Sequence, residues 1–183
     1  MTKSTQPSGP QHAALGKHRD AAALVIGNEL LSGKTRDRNV AVLARTLRAS
    51  GIALRRVVIV PDQVSVIADE IRTLSSAFDL LFTSGGVGPT HDDVTIEAVA
   101  KAFCTHVVTD EQIAEAIRRH FGDSVKPGHL LMARVPYGCR LVAHDEGGWP
   151  TILMHNVWVL PGVPEVFSAR LSAIKRYLQG GSP

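Results

Sequence analysis

Hydrophobic positions along the chain change repeatedly from short continuous runs to stripes of helical spacing. Residues 21–26 and 52–60 are rich in apolar and β-branched side chains, as buried strands are. In the segments that follow, residues 40–47 and 64–74, apolar side chains recur at intervals of three and four residues, which is the period of an amphipathic helix. The pattern therefore predicts two successive strand–helix units.

A third unit follows the same plan. Residues 80–83 predict a strand, and residues 96–103 carry the apolar face of a helix after a glycine-rich turn. Thr109 and Gln112 match a capping box, the side-chain pair that closes the first turn of many helices. They predict a further helix, which ends at Gly122 and packs outside the sheet.

The pattern weakens between residues 123 and 150, where prolines and glycines interrupt short apolar segments. We expect a helical turn, a short strand and a flexible loop there. Residues 151–160 predict a further strand, and Pro164 suits the first position of a terminal helix.

Strands separated by helices of about ten or more residues predict a mostly parallel sheet, because each crossover must traverse the sheet and its helix covers one face. The fold class is therefore α/β, and the expected architecture is a three-layer α/β/α sandwich. Its ligands would bind at the carboxyl ends of the strands, as in other open α/β sheets.

Composition supports one domain. The 183 residues are 44% hydrophobic and 20% charged, which is ordinary for a globular protein. Residues 1–18 are rich in Ser, Thr, Gln, Pro and Gly, so we expect a disordered tail followed by a single domain over residues 19–183. The longest apolar stretches fall far short of the roughly 20 residues that span a bilayer, so no membrane partner is expected.

The charge distribution and the two cysteines argue against nucleic-acid binding and against a cysteine metal site. The net charge is +3 with dispersed Lys and Arg, and aromatic residues make up only 5% of the chain. Nucleic-acid binding is therefore not expected, because such modules combine a basic stripe with stacking aromatics. A small anionic ligand fits the charge equally well. Cys104 and Cys139 have no metal-binding spacing, which favours two buried, reduced thiols in the cytoplasm.

The strongest chemical signal is the run of residues 83–95, TSGGVGPTHDDVT, between the third strand and its helix. Glycines allow backbone N–H groups to approach an anion closely, and the following helix start adds to that attraction. Asp92 and Asp93 beside the turn suggest metal binding or proton transfer. The structural alternative is a tight turn followed by acids that cap a helix.

Three motifs carry a resemblance to a known family. Residues 85–90 with the acids of residues 92–95, and residues 160–164, resemble the signatures of the MoaB/MogA molybdopterin-binding family. Residues 27–33 with Asn39 and the doubled acid are similar to the branch found at the amino end of CinA-like proteins, which includes the molybdopterin-binding-like domain of FAD synthases. The resemblance implies a molybdopterin-binding-like fold and covers about residues 21–178.

The resemblance also implies which residues contact a ligand. The glycine turn would hold phosphate, with Ser84 as a hydroxyl donor, while Asn39 would lie at the edge of the site. The motif at residues 160–164 would form a second ligand-facing turn, although a sharp strand–helix connection explains it equally well. The predicted ligand-binding residues are Ser84, Gly85, Gly86, Gly88, Thr90, Asn39, Pro161, Gly162 and Pro164.

Four acids are candidates for metal binding and catalysis. Asp93 matches the family's acid and is the first candidate for a metal-linked catalytic carboxylate, with Asp92 as a second ligand. Asp62 aligns with another family acid and would point into the same site; a helix cap explains Asp62 equally well. Glu29 stands where the MoaB/MogA branch has a Ser-Asp-Ser type segment, and its carboxylate suits Mg²⁺ or another divalent ion such as Co²⁺. Otherwise Glu29 is a solvated loop residue.

Three functions follow from the resemblance. The first is a protein of molybdenum-cofactor biosynthesis that binds molybdopterin or adenylated molybdopterin, with possible adenylyl transfer. The second is a stand-alone metal-dependent pyrophosphatase that cleaves ADP-ribose, FAD or a related dinucleotide, and the third is a non-catalytic nucleotide-binding module. We also expect a homo-oligomer, a dimer, trimer or hexamer, without the deamidase or nucleotidyltransferase activities of longer relatives.

Overall fold

The computed structural model describes residues 19–143 and 149–178. The predicted disordered tail lies outside these ranges, as does part of the predicted flexible loop, residues 144–148. No helix within the described ranges is long and apolar enough to cross a membrane.

Strands and helices alternate along the first two thirds of the chain, as the hydrophobic pattern predicts. The strands of the described residues are β1 (Asp20–Ile26), β2 (Ala53–Val60), β3 (Leu80–Ser84), β4 (Val107–Thr109), β5 (Arg134–Pro136), β6 (Arg140–Val142), β7 (Thr151–Met154) and β8 (Val157–Leu160). The α-helices are α1 (Asn28–Leu31), α2 (Asn39–Ala49), α3 (Val64–Ala77), α4 (Thr95–Ala102), α5 (Glu111–Phe121), α6 (Pro127–Leu130) and α7 (Pro164–Ile174).

The main sheet has the strand order β2-β1-β3-β8-β7-β6. The first four strands are mutually parallel, whereas β7 and β6 pair antiparallel. The prediction of a mostly parallel sheet is therefore confirmed. Because β1, β3 and β8 run in the same direction, their carboxyl ends and the loops that follow them meet at one edge of the sheet.

Helices cover both faces of the sheet. On one face, Leu24 and Leu81 pack with the apolar sides of α3 and α4. On the other face, Phe82 and Trp158 pack with those of α2 and α7. This arrangement confirms the three-layer sandwich, and it explains the continuous apolar run of β1, whose residues are buried on both sides.

Helix α5 begins one residue later than the sequence predicts. Thr109 is the last residue of β4, and Asp110 is the N-cap. The Asp110 Oδ1 atom accepts a hydrogen bond of 3.0 Å from the Ile113 amide. The capping box of Thr109 and Gln112 is therefore wrong, because the carboxylate next to Thr109 occupies the capping position instead.

The strand predicted over residues 151–160 is a hairpin of β7 and β8. The turn holds His155, whose φ of 53° is in the left-handed region, and Asn156. The Asn156 amide donates hydrogen bonds to the carbonyls of Ser75 (2.8 Å) and Phe78 (2.9 Å) at the end of α3. This tertiary contact fixes the turn at the polar pair His155 and Asn156, which divides the predicted strand into two.

A small subdomain stands beside the main sheet. Strands β4 and β5 form an antiparallel pair, and α5 packs on it through Ile113 and Ile117. An ion pair of 2.5 Å between Arg134 of β5 and Glu97 of α4 ties the subdomain to the sandwich. The subdomain is thereby held next to α4, at one side of the main sheet.

The two cysteines are free thiols. Cys104 is exposed, so the expectation that both are buried is wrong for this residue, which lies in the tight turn after α4 with a φ of 53°. Cys139 is half-buried, and burial together with the charge of Asp110 raises the pKa of the Cys139 thiol to about 11.

Candidate functional site

A cavity of about 1100 Å³ lies at the carboxyl edge of β1, β3 and β8. The structure brings all the residues predicted for the site into its lining, although they come from distant parts of the chain. These residues are Glu29, Asn39, Asp62, Ser84, Gly85, Gly86, Gly88, Thr90, Asp92, Asp93, Pro161, Gly162 and Pro164. Their individual roles stay predictions.

The turn after β3 requires glycine at two positions. Gly85 and Gly86 have φ values of 110° and 65°, which disfavour residues with a Cβ. A Cβ on Gly85 would also lie 2.3 Å from the Ile26 carbonyl oxygen, and one on Gly86 would lie 2.3 Å from Thr95 Oγ1. The chain therefore folds closely against β1 and α4 only with glycine at both positions.

Thr95 holds this turn in place. Its Oγ1 donates a hydrogen bond of 2.9 Å to the Gly85 carbonyl, and its amide donates one of 2.9 Å to the Gly86 carbonyl. The residue is fully buried. Sequence reasoning included Thr95 in the motif without giving it a role, and the available signal was a hydroxyl residue at the start of the helix after the turn.

The amides of Gly86, Val87 and Gly88 donate to no acceptor within residues 19–143 and 149–178. Consecutive unpaired N–H groups next to glycines with positive φ form a concave site for an anion. Helix α4 starts at Thr95, a few residues further on, and its positive end adds to the attraction. The turn can therefore bind phosphate through its backbone.

The second predicted turn meets the first. A Cβ on Gly162 would lie 3.2 Å from the Gly85 Cα, so the two turns touch through glycines. Asn39 joins them, because its Nδ2 donates hydrogen bonds of 2.9 Å to both Ser84 Oγ and the Gly162 carbonyl. Pro164 occupies the first position of α7, as predicted.

Asn39 also offers an unused acceptor. Its side chain is 3% exposed and lines the cavity, yet its Oδ1 has no hydrogen-bond partner in the described part of the chain. A buried polar atom without a partner is costly. A ligand donor such as a ring amine or a hydroxyl would satisfy this oxygen, so the site fits a polar ligand at this point.

Asp93 closes the loop that follows the glycines. Its Oδ2 accepts hydrogen bonds from the Thr90 amide (2.9 Å) and hydroxyl (2.5 Å). A Cβ on Gly88 would lie 2.7 Å from the same oxygen, which explains the third glycine. Val94 is the N-cap of α4 and no side chain caps that helix, so the interpretation of Asp93 as a helix cap is wrong.

Asp62 does not cap the helix that follows it. Gln63 is the N-cap of α3, with no side-chain hydrogen bond. Instead, the Asp62 Oδ2 accepts a hydrogen bond of 2.7 Å from the Asn28 amide at the start of α1. This contact fixes the segment that carries Glu29. The Glu29 carboxylate packs against Gly27, because a Cβ on Gly27 would lie only 2.4 Å from Glu29 Oε1.

Asp92 is an exposed candidate acid, as is Glu29. Its Oδ1 lies 3.1 Å from His91 Nε2, and the side chains are 74% and 92% exposed. Within the described residues, no group of three or more His, Cys, Asp and Glu side chains is arranged to hold a metal. Mg²⁺ is commonly bound by one or two carboxylates together with substrate phosphates and water. The metal set Glu29, Asp92 and Asp93 therefore stays a prediction that depends on the ligand.

The subdomain contributes an apolar wall to the cavity, of which the sequence suggests only Trp149, as a candidate for stacking on a planar ring with burial in the core or an interface as the favoured alternative. Ile113, Leu131, Met132, Trp149 and Ile152 line the cavity. Trp149 is half-buried, whereas Trp158 is 1% exposed in the core. The packing of β5 on α4 and of α5 on the segment before β5 brings these residues into one cavity with the glycine turn, and no local pattern contains those contacts.

The chain resembles solved structures over nearly its whole length. A crystal structure of the protein CinA from Thermoplasma acidophilum, described as of unknown function, has a TM-score of 0.79 at 32% identity and covers 88% of this chain and 99% of that chain. The molybdopterin biosynthesis enzyme MoaB from Thermus thermophilus has a TM-score of 0.58 at 18% identity, with 87% and 91% covered. The second likeness shows the fold alone.

Curated relatives are similar at the sequence level. A CinA-like protein of Myxococcus xanthus is 36% identical over 81% of this chain and 37% of its own length. A "Probable FAD synthase" of Caenorhabditis briggsae is 33% identical over 82% of this chain and 33% of its own length. The chain spans about one third to two thirds of the length of the first curated relatives it matches.

A family model described as "Probable molybdopterin binding domain" matches residues 22–179. The match spans the sandwich, both glycine turns and the subdomain. Together with the relatives, it confirms the resemblance to the MoaB/MogA family and to its CinA-like branch. The protein belongs to the molybdopterin-binding domain family.

Proposed function

We propose that the cavity binds a phosphorylated ligand of the molybdopterin or adenylated molybdopterin type, with its phosphate on the glycine turn. One observation carries the proposal: Gly86, Val87 and Gly88 line the cavity, and their amides have no acceptor in the described residues. A phosphate oxygen is the acceptor that such an array favours.

Other features of the cavity support a ligand larger than phosphate. Its volume of about 1100 Å³ lies just above the usual range of small-molecule sites, about 300–1000 Å³. The buried Asn39 Oδ1 would accept a hydrogen bond from the ligand's polar groups. The start of α7 at Pro164 supplies a second helix end for an anion.

A divalent ion would be held by Asp93, with Glu29 or Asp92 as a further carboxylate. The bound Mg²⁺ would neutralise phosphate charge and polarise a phosphorus–oxygen bond. Asp93 would keep its position through the Thr90 hydrogen bonds, and Asp62 would keep the Glu29 segment at the cavity through the Asn28 amide.

Metal-dependent cleavage of a pyrophosphate is the second candidate. It is supported by Glu29, which distinguishes the chain from the MoaB/MogA segment, and by identities of 32–36% with CinA-like proteins and probable FAD synthases. In this reaction water attacks one phosphorus, the bridging P–O bond breaks, and two phosphate monoesters form. Asp93 would accept the proton that the attacking water loses.

Product analysis separates the candidates. Purified protein is incubated with ADP-ribose, with FAD, or with ATP plus molybdopterin, each with Mg²⁺ or Co²⁺, and an Asp93→Ala variant runs in parallel. AMP released from a dinucleotide, and lost in the variant, supports the pyrophosphatase. Adenylated molybdopterin supports adenylyl transfer. Binding without product supports the binding function, and absence of binding to every ligand contradicts the proposal.

A further inference from the structure

The cavity has two chemically different ends. The glycine turn, Asn39 and the acids form a polar end, which the proposed function uses. A second part of the lining is formed by Ile113, Leu131, Met132, Trp149 and Ile152, and we refer to these five residues as the apolar wall. They come from α5, from the helical turn after α6, from β7 and from the segment before β7. A phosphate on the turn leaves this wall without a function.

Trp149 is the aromatic residue of the apolar wall, and its ring contacts two neighbouring aromatic rings. The ring centroid lies 6.0 Å from that of His120 in an edge-on arrangement and 6.4 Å from that of Phe121. Both neighbours belong to the end of α5. Aromatic contacts of this kind restrict the position of a ring, so Trp149 is held as part of the wall.

The backbone of the same segment is fixed by a half-buried cation. Arg170 Nη1 of α7 donates hydrogen bonds of 2.9 Å to the Trp149 carbonyl and 2.6 Å to the Pro150 carbonyl. Burial lowers the pKa of the Arg170 guanidinium, which shows that the charge has lost much of its water. Helix α7 also begins at the second turn, so one rigid helix positions both ends of the cavity.

From this geometry we infer that the apolar wall binds the planar heterocycle of the ligand, with the ring stacked on Trp149 while the phosphate lies on the glycine turn. The inference rests on the proposed function and specifies its ligand: a phosphate ester that carries a flat ring, such as a purine or a pterin. Stacking on an aromatic side chain tolerates different rings because each has a π-face. Arg170 acts as a positioning residue for Trp149.

Calorimetric titration with two probes tests the inference. AMP carries both a phosphate and a planar ring, whereas inorganic pyrophosphate has no ring, and both are titrated in the presence of Mg²⁺. The variants are Trp149→Leu, Trp149→Phe and a control, Tyr137→Leu. Tyr137 is an exposed aromatic residue of the same subdomain that does not line the cavity.

We expect Trp149→Leu to weaken AMP binding about tenfold or more, which is the usual effect of removing one stacking side chain. Trp149→Phe should restore most of the affinity, and Tyr137→Leu should leave it unchanged. The loss should be much smaller for pyrophosphate. In the wild type, AMP should also change the emission of Trp149, because Trp158 is buried in the core.

Each other result contradicts the inference in a distinguishable way. Unchanged AMP affinity in Trp149→Leu overturns the stacking and leaves the proposed function standing. Equal losses for AMP and pyrophosphate show that Trp149 supports the whole cavity and does not select a ring. If the wild type binds neither probe, the proposed phosphate site fails and the inference fails with it.

Discussion

At the scale of single residues, the shape of the site depends on a few hydrogen bonds between its own residues, which form without a ligand. Asp93 accepts two hydrogen bonds from Thr90, and Gly88 leaves the room that its carboxylate needs. Asp62 holds the first amide of α1. These acids therefore have structural roles in shaping the loops, and their charges remain directed to the cavity that they line.

Replacing Asp93 by asparagine removes the negative charge and keeps the shape of the side chain. The Asn Oδ1 can still accept from Thr90, so Asp93→Asn should fold normally, with a thermal midpoint close to that of the wild type. Turnover of a phosphorylated substrate should fall by about 10²- to 10⁴-fold, the usual contribution of a positioned acid–base group. The measurement is the initial rate of product formation, with Asp69→Asn on the exposed side of α3 as the control. Full activity in Asp93→Asn would remove this residue from catalysis.

Replacing Gly86 by alanine tests the glycine turn. The positive φ alone costs about 1–2 kcal/mol in a residue with a Cβ, and the clash with Thr95 Oγ1 adds to this cost. Gly86→Ala should also bind pyrophosphate about tenfold or more weakly, because loss of charge-assisted hydrogen bonds has this size. Calorimetry measures the affinity and urea denaturation the stability.

Gly138→Ala is the matched control for that variant. Gly138 has a φ of 85°, and a Cβ there would meet no atom within 4 Å. It also lies outside the cavity lining. This variant should lose stability without loss of pyrophosphate affinity. Equal affinities for Gly86→Ala and the wild type would show that the phosphate does not bind at the turn.

At the scale of elements, the starts of α2, α4 and α7 meet around the ends of β1, β3 and β8. Asn39 of α2 links Ser84 of β3 to Gly162 before α7, and Thr95 of α4 holds the turn after β3. The relative position of the turns is therefore set by side chains at helix starts. These contacts explain why motifs that are far apart in the sequence form one site.

Thr95→Val tests this coupling between elements. Valine keeps the shape and removes the hydroxyl, so the Gly85 carbonyl loses a buried partner at a cost of about 1–3 kcal/mol. Urea denaturation should show that loss, and pyrophosphate affinity should fall because the turn is less restrained. Thr73→Val is the control, since its hydroxyl donates to the Asp69 carbonyl on the exposed side of α3. Similar effects of the two substitutions would contradict the account of Thr95.

The sequence predicted the strands and helices correctly where their hydrophobic period is clear. It failed where a contact between distant residues determines the local structure. The apolar runs of β1 and β3 and the stripes of α2 and α3 were sufficient for the parallel sandwich. The turn at Asn156 depends on carbonyls at the end of α3, which no local pattern contains. The glycine motifs located the site, whereas the part played by Trp149 and Arg170 required the packing of the subdomain.

At the scale of the whole molecule, β2 is an outer strand of the main sheet. Val57 and Ile59 on this strand are 41% and 43% exposed. Arg55 and Arg56 are exposed in the first half of β2, whereas its second half is an apolar edge, and such an edge tends to pair with another chain. We therefore propose that the expected homo-oligomer forms through β2 of two copies, with an interface that leaves the cavity accessible.

Light scattering coupled to size exclusion measures this directly. The wild type should have a mass of at least twice the 19.6 kDa of one chain, and Val57→Lys should have the mass of one chain, because the interface would bury an unpaired charge. Tyr137→Lys, a substitution at an exposed apolar residue outside β2, should keep the wild-type mass. A monomeric wild type, or an oligomeric Val57→Lys, would refute assembly through β2.

The central claim is that phosphate binds to the backbone of the glycine turn. A crystal structure of the protein with AMP and Mg²⁺ tests it most directly, because it locates the phosphate oxygens relative to the amides of Gly86, Val87 and Gly88. The account predicts phosphate oxygens at hydrogen-bonding distance, about 2.7–3.2 Å, from at least two of these three nitrogens. A phosphate bound elsewhere, with these amides still unpaired or bonded only to water, would contradict it.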